Sequence, residues 1–295
     1  MNAARGEGPH APQVPGGRTL KYTLHFELFG VENLMDYGQL YNRRVAATYD
    51  EDCLGLLAGA RRLAIAQLVA SDLAPTATVL DLGVGTGESL CALLPRFPHG
   101  RKIGIDLSGK MIEAAQRKLA FEAHVDDACN VGAHVPAGSV DLVLAHFLTS
   151  FVSRPRLFSA AATALRPGGL FSVVSTTTEA FLKIRNWIGQ FLDDPAGVQA
   201  ANPSPETGAA LAEELRTAGF EILAIETFRQ PVIFASFEET IGWGIRSGFF
   251  AHSIEAIGLD RLAPIAHLPG IFPFEEEYVG VAILAAPIGS GTALG

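Results

Sequence analysis

The chain has 295 residues, a formal net charge of -9, 48% hydrophobic residues and 18% charged ones. That length holds one large α/β domain with insertions or two small domains, and the balance is that of a globular protein. The negative balance and scattered basic residues argue against a nucleic-acid partner, and no run approaches the roughly 18 apolar residues of a membrane span.

Residues 1–17, MNAARGEGPHAPQVPGG, are rich in Gly, Pro and Ala and read as a disordered tail with no apolar signal core, so export is not expected. Residues 18–72 read as helical. LHFELFGVENLMDYGQLYNRR is followed by DEDCLGLLAGARRLAIAQLVASDLA, in which Leu54, Leu57, Ala58, Leu63, Ile65 and Leu68 recur at helical steps. Cys53, Cys91 and Cys129 form no CxxC or Cys/His group for zinc, and suit a reduced cytoplasm.

Residues 73–295 change period. TVLDLG, KIGIDLS, VDLVLAHF and GLFSVVST are short apolar runs separated by helical stretches such as SGKMIEAAQRKLAFEA and RPRLFSAAATALR, which predicts a parallel, doubly wound sheet. Two insertions, at about 176–205 and 235–274, interrupt the alternation. In the first, TEAFLKIRNWIGQFL predicts a helix and DDPAGVQAANPSPE a loop. ETGAALAEELRTAGF then predicts a helix ended by Gly219, EILAIETFRQPVIF a strand, and YVGVAILAAP the last strand.

The most informative stretch is VLDLGVGTGES, an apolar strand running into Gly83, Gly85 and Gly87 and then a helix. Glycine allows positive φ and lets a ligand approach the backbone with no Cβ between them. Such a loop alone also suits nicotinamide and flavin dinucleotides. Asp81 stands two residues before Gly83, where it opposes a pyrophosphate and favours a ligand bearing an ammonium group. Asp106 ends the next strand, where a carboxylate accepts ribose hydroxyls or, alternatively, caps the helix beginning LSGKM. Asp127, in HVDDAC, can accept a hydrogen bond from the exocyclic amine of adenine.

With the Tyr49-Asp50 pair, GIDLSGKMIEAA, DDA, SVDLVLAHF and LRPGGLFSVVS, residues 45–175 resemble the class I S-adenosylmethionine-dependent methyltransferases, in particular their small-molecule branch of ubiquinone-type and natural-product enzymes. The resemblance implies a Rossmann-like, doubly wound seven-stranded sheet with an N-terminal helical lid and an inserted helical cap. It implies S-adenosylmethionine as cofactor and no metal. Asp81, Gly83 and Gly85 would shape the methionine end of the site, Asp106 would hold the ribose, Met111 would pack near adenine, and Asp127 with Ala128 would contact the adenine edge. Leu107 and His146 complete the expected cofactor set. Val84 departs from a place that is often Ala or Cys, and Asp126 beside Asp127 leaves the adenine contact ambiguous by one residue.

Methyl transfer is an in-line displacement, so alignment and water exclusion are the main tasks. A hydroxyl or acidic-carbon nucleophile also benefits from a base. His146, at the carboxyl end of the fourth strand, is the expected catalytic base, although it can equally pack or hydrogen-bond without moving a proton; His252 in SGFFAHSIEAIG is a second candidate. The insertions carry Phe181, Trp187, Phe191, Phe237, Trp243, Phe249 and Phe250, some of which form the cap's own core. Expected acceptor-site residues are Tyr37, Tyr41, Ser150, Phe151, Trp187, Trp243 and Phe250, with Phe147 in the pocket floor; Tyr37, Tyr41 and Tyr49 are also further candidates beside the two histidines, or lid and core residues. Arg43, Arg44, Lys183, Arg185 and Arg246 are candidates to clamp an acceptor's carboxylate or phosphate.

The expected function is methyl transfer to an oxygen or carbon of a small, largely apolar or aromatic metabolite in secondary or cofactor metabolism. The partners are that acceptor and at most a second copy of the chain, with no nucleic acid and no membrane, in the cytoplasm. Two alternatives stand beside it: a protein of the same fold that binds S-adenosylmethionine in a pericyclase-like or binding role, and a nicotinamide-dependent oxidoreductase, which the glycine spacing and Asp81 disfavour.

Overall fold

The computed structural model describes residues 36–289. The expected tail at residues 1–17 and the start of the helical segment, up to residue 35, lie outside the described residues.

The described chain begins with α1 (Tyr37–Leu40), capped by the Asp36 carboxylate, and a π-helical turn, Tyr41–Val45. The long helix α2 (Leu56–Val69) starts later than the apolar period suggested. Asp52 is the reason: its carboxylate accepts hydrogen bonds from the N–H groups of Leu56, Leu57 and Ala58 at 3.0 to 3.2 Å, satisfying first-turn donors that have no partner within the helix. Leu56, Ala60, Ala64 and Leu68 recur every fourth residue and turn one buried face of α2 onto the sheet.

The alternation follows as β1 (Val79–Leu82), α3 (Glu88–Leu93), β2 (Lys102–Asp106), α4 (Gly109–Gln116), β3 (Glu122–Val125), β4 (Val140–His146), α5 (Arg154–Ala164) and β5 (Leu165–Thr176). The first insertion holds α6 (Leu182–Phe191) and α7 (Pro195–Ala200), before α8 (Gly208–Thr217) and β6 (Phe220–Phe234). The second holds α9 (Phe237–Arg246), α10 (Ala251–Ile257) and α11 (Leu259–Leu262), and β7 (Phe274–Pro287) closes the sheet. The seven strands lie in the order β3-β2-β1-β4-β5-β7-β6, the Rossmann-like sheet that the resemblance implies.

Two local expectations are corrected. The sheet is not wholly parallel, because β7 pairs antiparallel with both β5 and β6. The stretch DDPAGVQAANPSPE is not all loop: Asp194 accepts from Gly197 N–H at 3.0 Å and Pro195 takes the first turn, both of which start a helix, so α7 forms inside it.

Strand alternation sorts the core. Val143 and Ala145 of β4 pack with α5 and α8, whereas Leu142 and Leu144 pack with α2, α3 and α4. In β1, Leu80 and Leu82 face α5, so Asp81 faces the α2 side from the middle of a fully buried strand. The strand order reverses between β1 and β4, and this crevice at the carboxyl edge is where open α/β sheets bind ligands.

Both insertions leave from that same edge. The β6–β7 ribbon continues from Phe228↔Gly280 to Phe234↔Phe274, beyond the last β5 pair at Thr176↔Gly280, and carries α9 to α11 at its tip. Pro231 is tolerated because β6 is an edge strand. Among the described residues no helix is long and apolar enough to cross a membrane.

Candidate active site

A cavity of about 640 Å³ lies at the β1/β4 crevice. Its floor is the loop after β1, where Gly83, Gly85 and Gly87 take φ of +70°, +54° and +80°, values that side chains with a Cβ rarely adopt. A Cβ added at Gly85 would meet no atom nearer than the Gly83 carbonyl oxygen at 3.9 Å. The glycine therefore leaves its backbone facing open space in the cavity wall.

Asp106 is tied to that loop. Its Oδ2 accepts from Gly85 N–H and its Oδ1 from Ser108 N–H, both at 2.8 Å, so each oxygen keeps a lone pair for a further donor. Burial pushes its carboxyl up against the effect of those two N–H groups. The cap of α4 is Ser108, whose Oγ accepts from Met111 N–H, so Asp106 is not spent on capping. Ser108 Oγ also donates to Asn42 Oδ1 at 2.7 Å, and Asn42 accepts from Lys110 N–H at 3.1 Å, which docks the π-helical turn beside the cavity.

Asp81 lies behind the glycine loop rather than in the cavity wall. It is 1% exposed, its Oδ2 has no hydrogen-bond partner, and burial raises its carboxyl to about 8, with Arg61 opposing the rise and Asp106 adding to it. A buried carboxylate oxygen with no donor, at the end of a strand that feeds a glycine cradle, fits an ammonium-bearing ligand better than a diphosphate. Asp50 and Lys118 brace the loop from outside: Thr86 Oγ1 donates to Asp50 at 2.6 Å, and Lys118 bridges Asp50 and Glu88 at 2.6 and 2.5 Å.

Of the expected cofactor set, Gly83, Gly85, Asp106, Leu107, Met111, Ala128 and His146 line this cavity together. Asp127 does not. Its carboxylate accepts from Cys129 N–H at 2.8 Å and from Arg156 at 3.2 Å, while Asp126 is held by its own turn and His134; Ala128, between them and Cys129, is the residue of the loop that reaches the wall.

The base expected at His146 has no free nitrogen. Nδ1 meets Ser89 Oγ at 2.8 Å and Nε2 meets Ser172 Oγ at 3.0 Å, and burial with the Arg61 charge pushes the imidazole down to about 3. His146 is a neutral cross-brace between α3, β4 and β5, and it does not line the second cavity described next.

That second cavity, about 1230 Å³, lies under the insertions. Tyr41, Tyr49, Phe147 and Phe151 line both cavities and so form a shared aromatic partition. Phe151 meets Tyr37, Tyr41 and His252 edge-on, with centroids 5.2, 5.8 and 5.2 Å away. Phe147 holds φ +61°, an unusual backbone for a bulky side chain that costs on the order of 1–3 kcal/mol, and it does so at the end of β4 where its ring enters the partition.

The cap cavity is mostly apolar. Ile184, Trp187 and Ile188 of α6, Val198 of α7, Phe237 and Ile241 of α9, and Phe249 and Phe250 beyond it make the wall. Of the expected acceptor residues, Tyr41, Ser150, Phe151, Trp187 and Phe250 line it; Tyr37 lines the glycine-loop cavity instead. Trp243 is corrected to a core position: it is 2% exposed and stacks on Phe249 at 5.0 Å, because its face of α9 turns toward Phe181 and Phe234.

Two polar side chains in the cap wall keep unsatisfied atoms. His252 is 6% exposed, neither ring nitrogen has a partner, and burial lowers the imidazole to about 4. Arg185 donates to the Thr178 carbonyl but its Nε has no partner. Of the five basic candidates, Arg185 alone lines this cavity; Arg43 and Lys183 donate to backbone carbonyls, Arg44 pairs with Glu255 at 3.5 Å, and Arg246 is exposed. Sequence reasoning missed Arg61, whose guanidinium sits 5.9 Å from the Phe147 ring centroid and whose charge acts on Asp81, Tyr49 and His146. A charged residue at a near-buried helical position was the only signal available.

The strand order, the crevice at the reversal point and the glycine cradle define a Rossmann-like nucleoside-binding domain. Residues 79–169 match the family model for a methyltransferase domain. Trans-aconitate 2-methyltransferase of Azoarcus sp. is 33% identical over 33% of this chain and 38% of its own length, so the match spans little more than a third of that relative. Malonyl-acyl-carrier-protein O-methyltransferase of Paenibacillus sp. is 25% identical over 80% of this chain and 89% of its own. Among solved structures, a methyltransferase candidate from Bacillus halodurans superposes with a TM-score of 0.53 at 16% identity, covering 75% of this chain and 96% of that one. The cyclase SpnF superposes at 0.51 with 20% identity over 86% and 96%. These last two likenesses are of fold.

Proposed function

We propose that the protein transfers a methyl group from S-adenosylmethionine to an oxygen or carbon atom of a small, largely apolar acceptor held in the cap cavity. The observation that carries this reading is the shared partition: a cavity fit for a sulfonium nucleoside and a larger apolar cavity meet at Tyr41, Tyr49, Phe147 and Phe151. The O-methylation named for the Paenibacillus relative, which aligns along most of both chains, favours oxygen.

In this reading Gly83 and Gly85 present backbone to the methionine part, Asp81 acts on its ammonium from behind the loop without lining the cavity, and the free lone pairs of Asp106 accept from the ribose hydroxyls. Met111, Leu107 and Ala128 pack around the base. S-adenosylmethionine, when bound, supplies an electrophilic methyl on a cationic sulfur. The protein's own contribution is to align the acceptor across the partition and to keep water out, which the apolar cap and the helical segment over residues 36–49, acting as a lid, accomplish. His146 positions the β4 end through its two serines and moves no proton.

Calorimetric titration with S-adenosylhomocysteine tests the cofactor assignment. Asp106→Ala is expected to weaken binding by roughly a hundredfold, the loss of two charge-assisted hydrogen bonds. An unchanged affinity would contradict it, and a thermal shift with NAD in place of S-adenosylmethionine would favour the oxidoreductase. Methylated product with multiple turnovers separates transfer from mere binding by the same fold.

A further inference from the structure

The cap cavity holds more polar side chains than it needs for shape, and most of them are already satisfied. Ser150 and Ser204 bond to each other at 2.9 Å, and Ser204 donates to Asn202 at 3.0 Å. Thr240 and Ser253 donate to backbone carbonyls at 2.8 Å. Burial pushes Tyr49 up to about 12 and Tyr41 well above the usual phenol range, so both stay protonated. Arg185 is a cation and cannot accept a proton. His252 is different: a neutral imidazole with one lone pair, 6% exposed, with both nitrogens lacking partners. A buried polar group left this way costs stability unless a ligand completes it.

Its place is as telling as its lack of partners. The ring lies edge-on to Phe151, 5.2 Å between centroids, and Phe151 belongs to the partition between the two cavities. An acceptor atom at that partition is therefore next to His252 and next to the donor cavity. We propose that His252 accepts the proton of an acceptor hydroxyl at the partition, and that the acceptors are hydroxylated aromatic molecules whose apolar body fills the cap cavity. This rests on the methyl-transfer reading above.

The hydroxyl oxygen uses a lone pair to form the new C–O bond, the methyl–sulfur bond breaks with its electron pair kept by sulfur, and the O–H proton passes to the imidazole. One positive charge leaves sulfur and one arrives on His252, so the site gains no net charge. The imidazolium returns its proton to solvent when products leave. Burial holds the imidazole near about 4, yet a hydroxyl that is forming a third bond becomes a far stronger acid than imidazolium, so the transfer remains downhill. The elements packed against α10 carry Tyr37 on α1, Glu238, Glu239 and Arg246 on α9, Asp260 and Arg261 on α11, and no titratable group on α7; Tyr41 lies in the same wall, and Glu255 on α10 itself is paired with Arg44.

The test uses the full chain, the variants His252→Phe and His252→Gln, and two phenols: beta-naphthol, neutral at assay pH, and para-nitrophenol, which ionises without help. His252→Phe removes no hydrogen bond, so it is expected to fold with an unchanged or higher Tm and to bind S-adenosylhomocysteine like the parent. Its rate with beta-naphthol should fall by roughly a hundredfold or more and its rate with para-nitrophenol by less than about tenfold, with His252→Gln intermediate. In the parent's complex with S-adenosylhomocysteine, the His252 imidazole nitrogen resonance should shift on adding beta-naphthol.

Equal losses for the two phenols, no loss, or an unmoved resonance would overturn the role of His252. If the parent binds S-adenosylhomocysteine but methylates neither phenol, the acceptor class is overturned while the donor reading stands. If it does not bind S-adenosylhomocysteine, the methyl-transfer reading itself fails.

Discussion

The two cavities that meet at the aromatic partition are built in opposite ways. The glycine-loop cavity is made of strand ends, and its chemistry is backbone and carboxylate: positive-φ glycines, Asp106 braced by two N–H groups, and Asp81 waiting behind them. The cap cavity is made of inserted helices, and its chemistry is apolar shape with isolated polar atoms, His252 and the Nε of Arg185. On the proposed reading, one ligand is recognised by fixed main-chain geometry and charge, and the other by desolvation and a hydrogen-bonding ring.

The largest effect is expected from a side chain placed where the glycine-loop cavity relies on none. Gly85→Leu adds a Cβ into open cavity at a backbone with φ +54°. Strain and occlusion together predict a loss of S-adenosylhomocysteine affinity of at least about a hundredfold. Calorimetry checks it, and near-parental binding would mean the cradle is not where the ligand sits.

A smaller effect sharpens the electrostatic half of the contrast. Burial holds the Asp81 carboxyl up at about 8, so without ligand it is protonated at neutral pH, whereas in the unfolded chain it ionises near its ordinary value of 3.8. The folded state therefore loses stability as pH rises from about 4 to about 8 through this group, and a ligand ammonium that ionises it reverses that loss. Binding of S-adenosylhomocysteine should release a proton between about pH 6 and 8, with affinity approaching a tenfold gain per pH unit and levelling above about 8. Titrations in buffers of different ionisation enthalpy measure the proton directly. Asp81→Asn should abolish the release; a release that persists in that variant would assign it elsewhere.

Much of this was legible in the sequence, and the exceptions share a cause. The strands β1, β2, β4 and β5 and the glycine loop announce themselves within a few consecutive residues, because period and turn chemistry are local. The direction of β7 is not local: YVGVAILAAP reads equally well in either sense, and only its pairing with β5 and β6 fixes it. The same holds for His146, whose partners Ser89 and Ser172 come from α3 and β5, and for Asp127, whose carboxylate is drawn to Arg156 on α5. Trp243 and Phe250 look alike in sequence, seven residues apart, yet one packs into the cap core and the other lines the cavity. Arg61 is the clearest case, since a helix period gives no hint that its one near-buried arginine reaches the ends of β1 and β4.

The central claim is that the partition formed by Tyr41, Tyr49, Phe147 and Phe151 is where donor and acceptor meet. A crystal structure with S-adenosylhomocysteine bound tests it most directly. The adenosine is expected beside Met111 and Ala128, the ribose on Asp106, and the sulfur facing that partition toward the cap cavity. A ligand whose sulfur points away from those four aromatic residues, or that binds outside the glycine cradle, would contradict it.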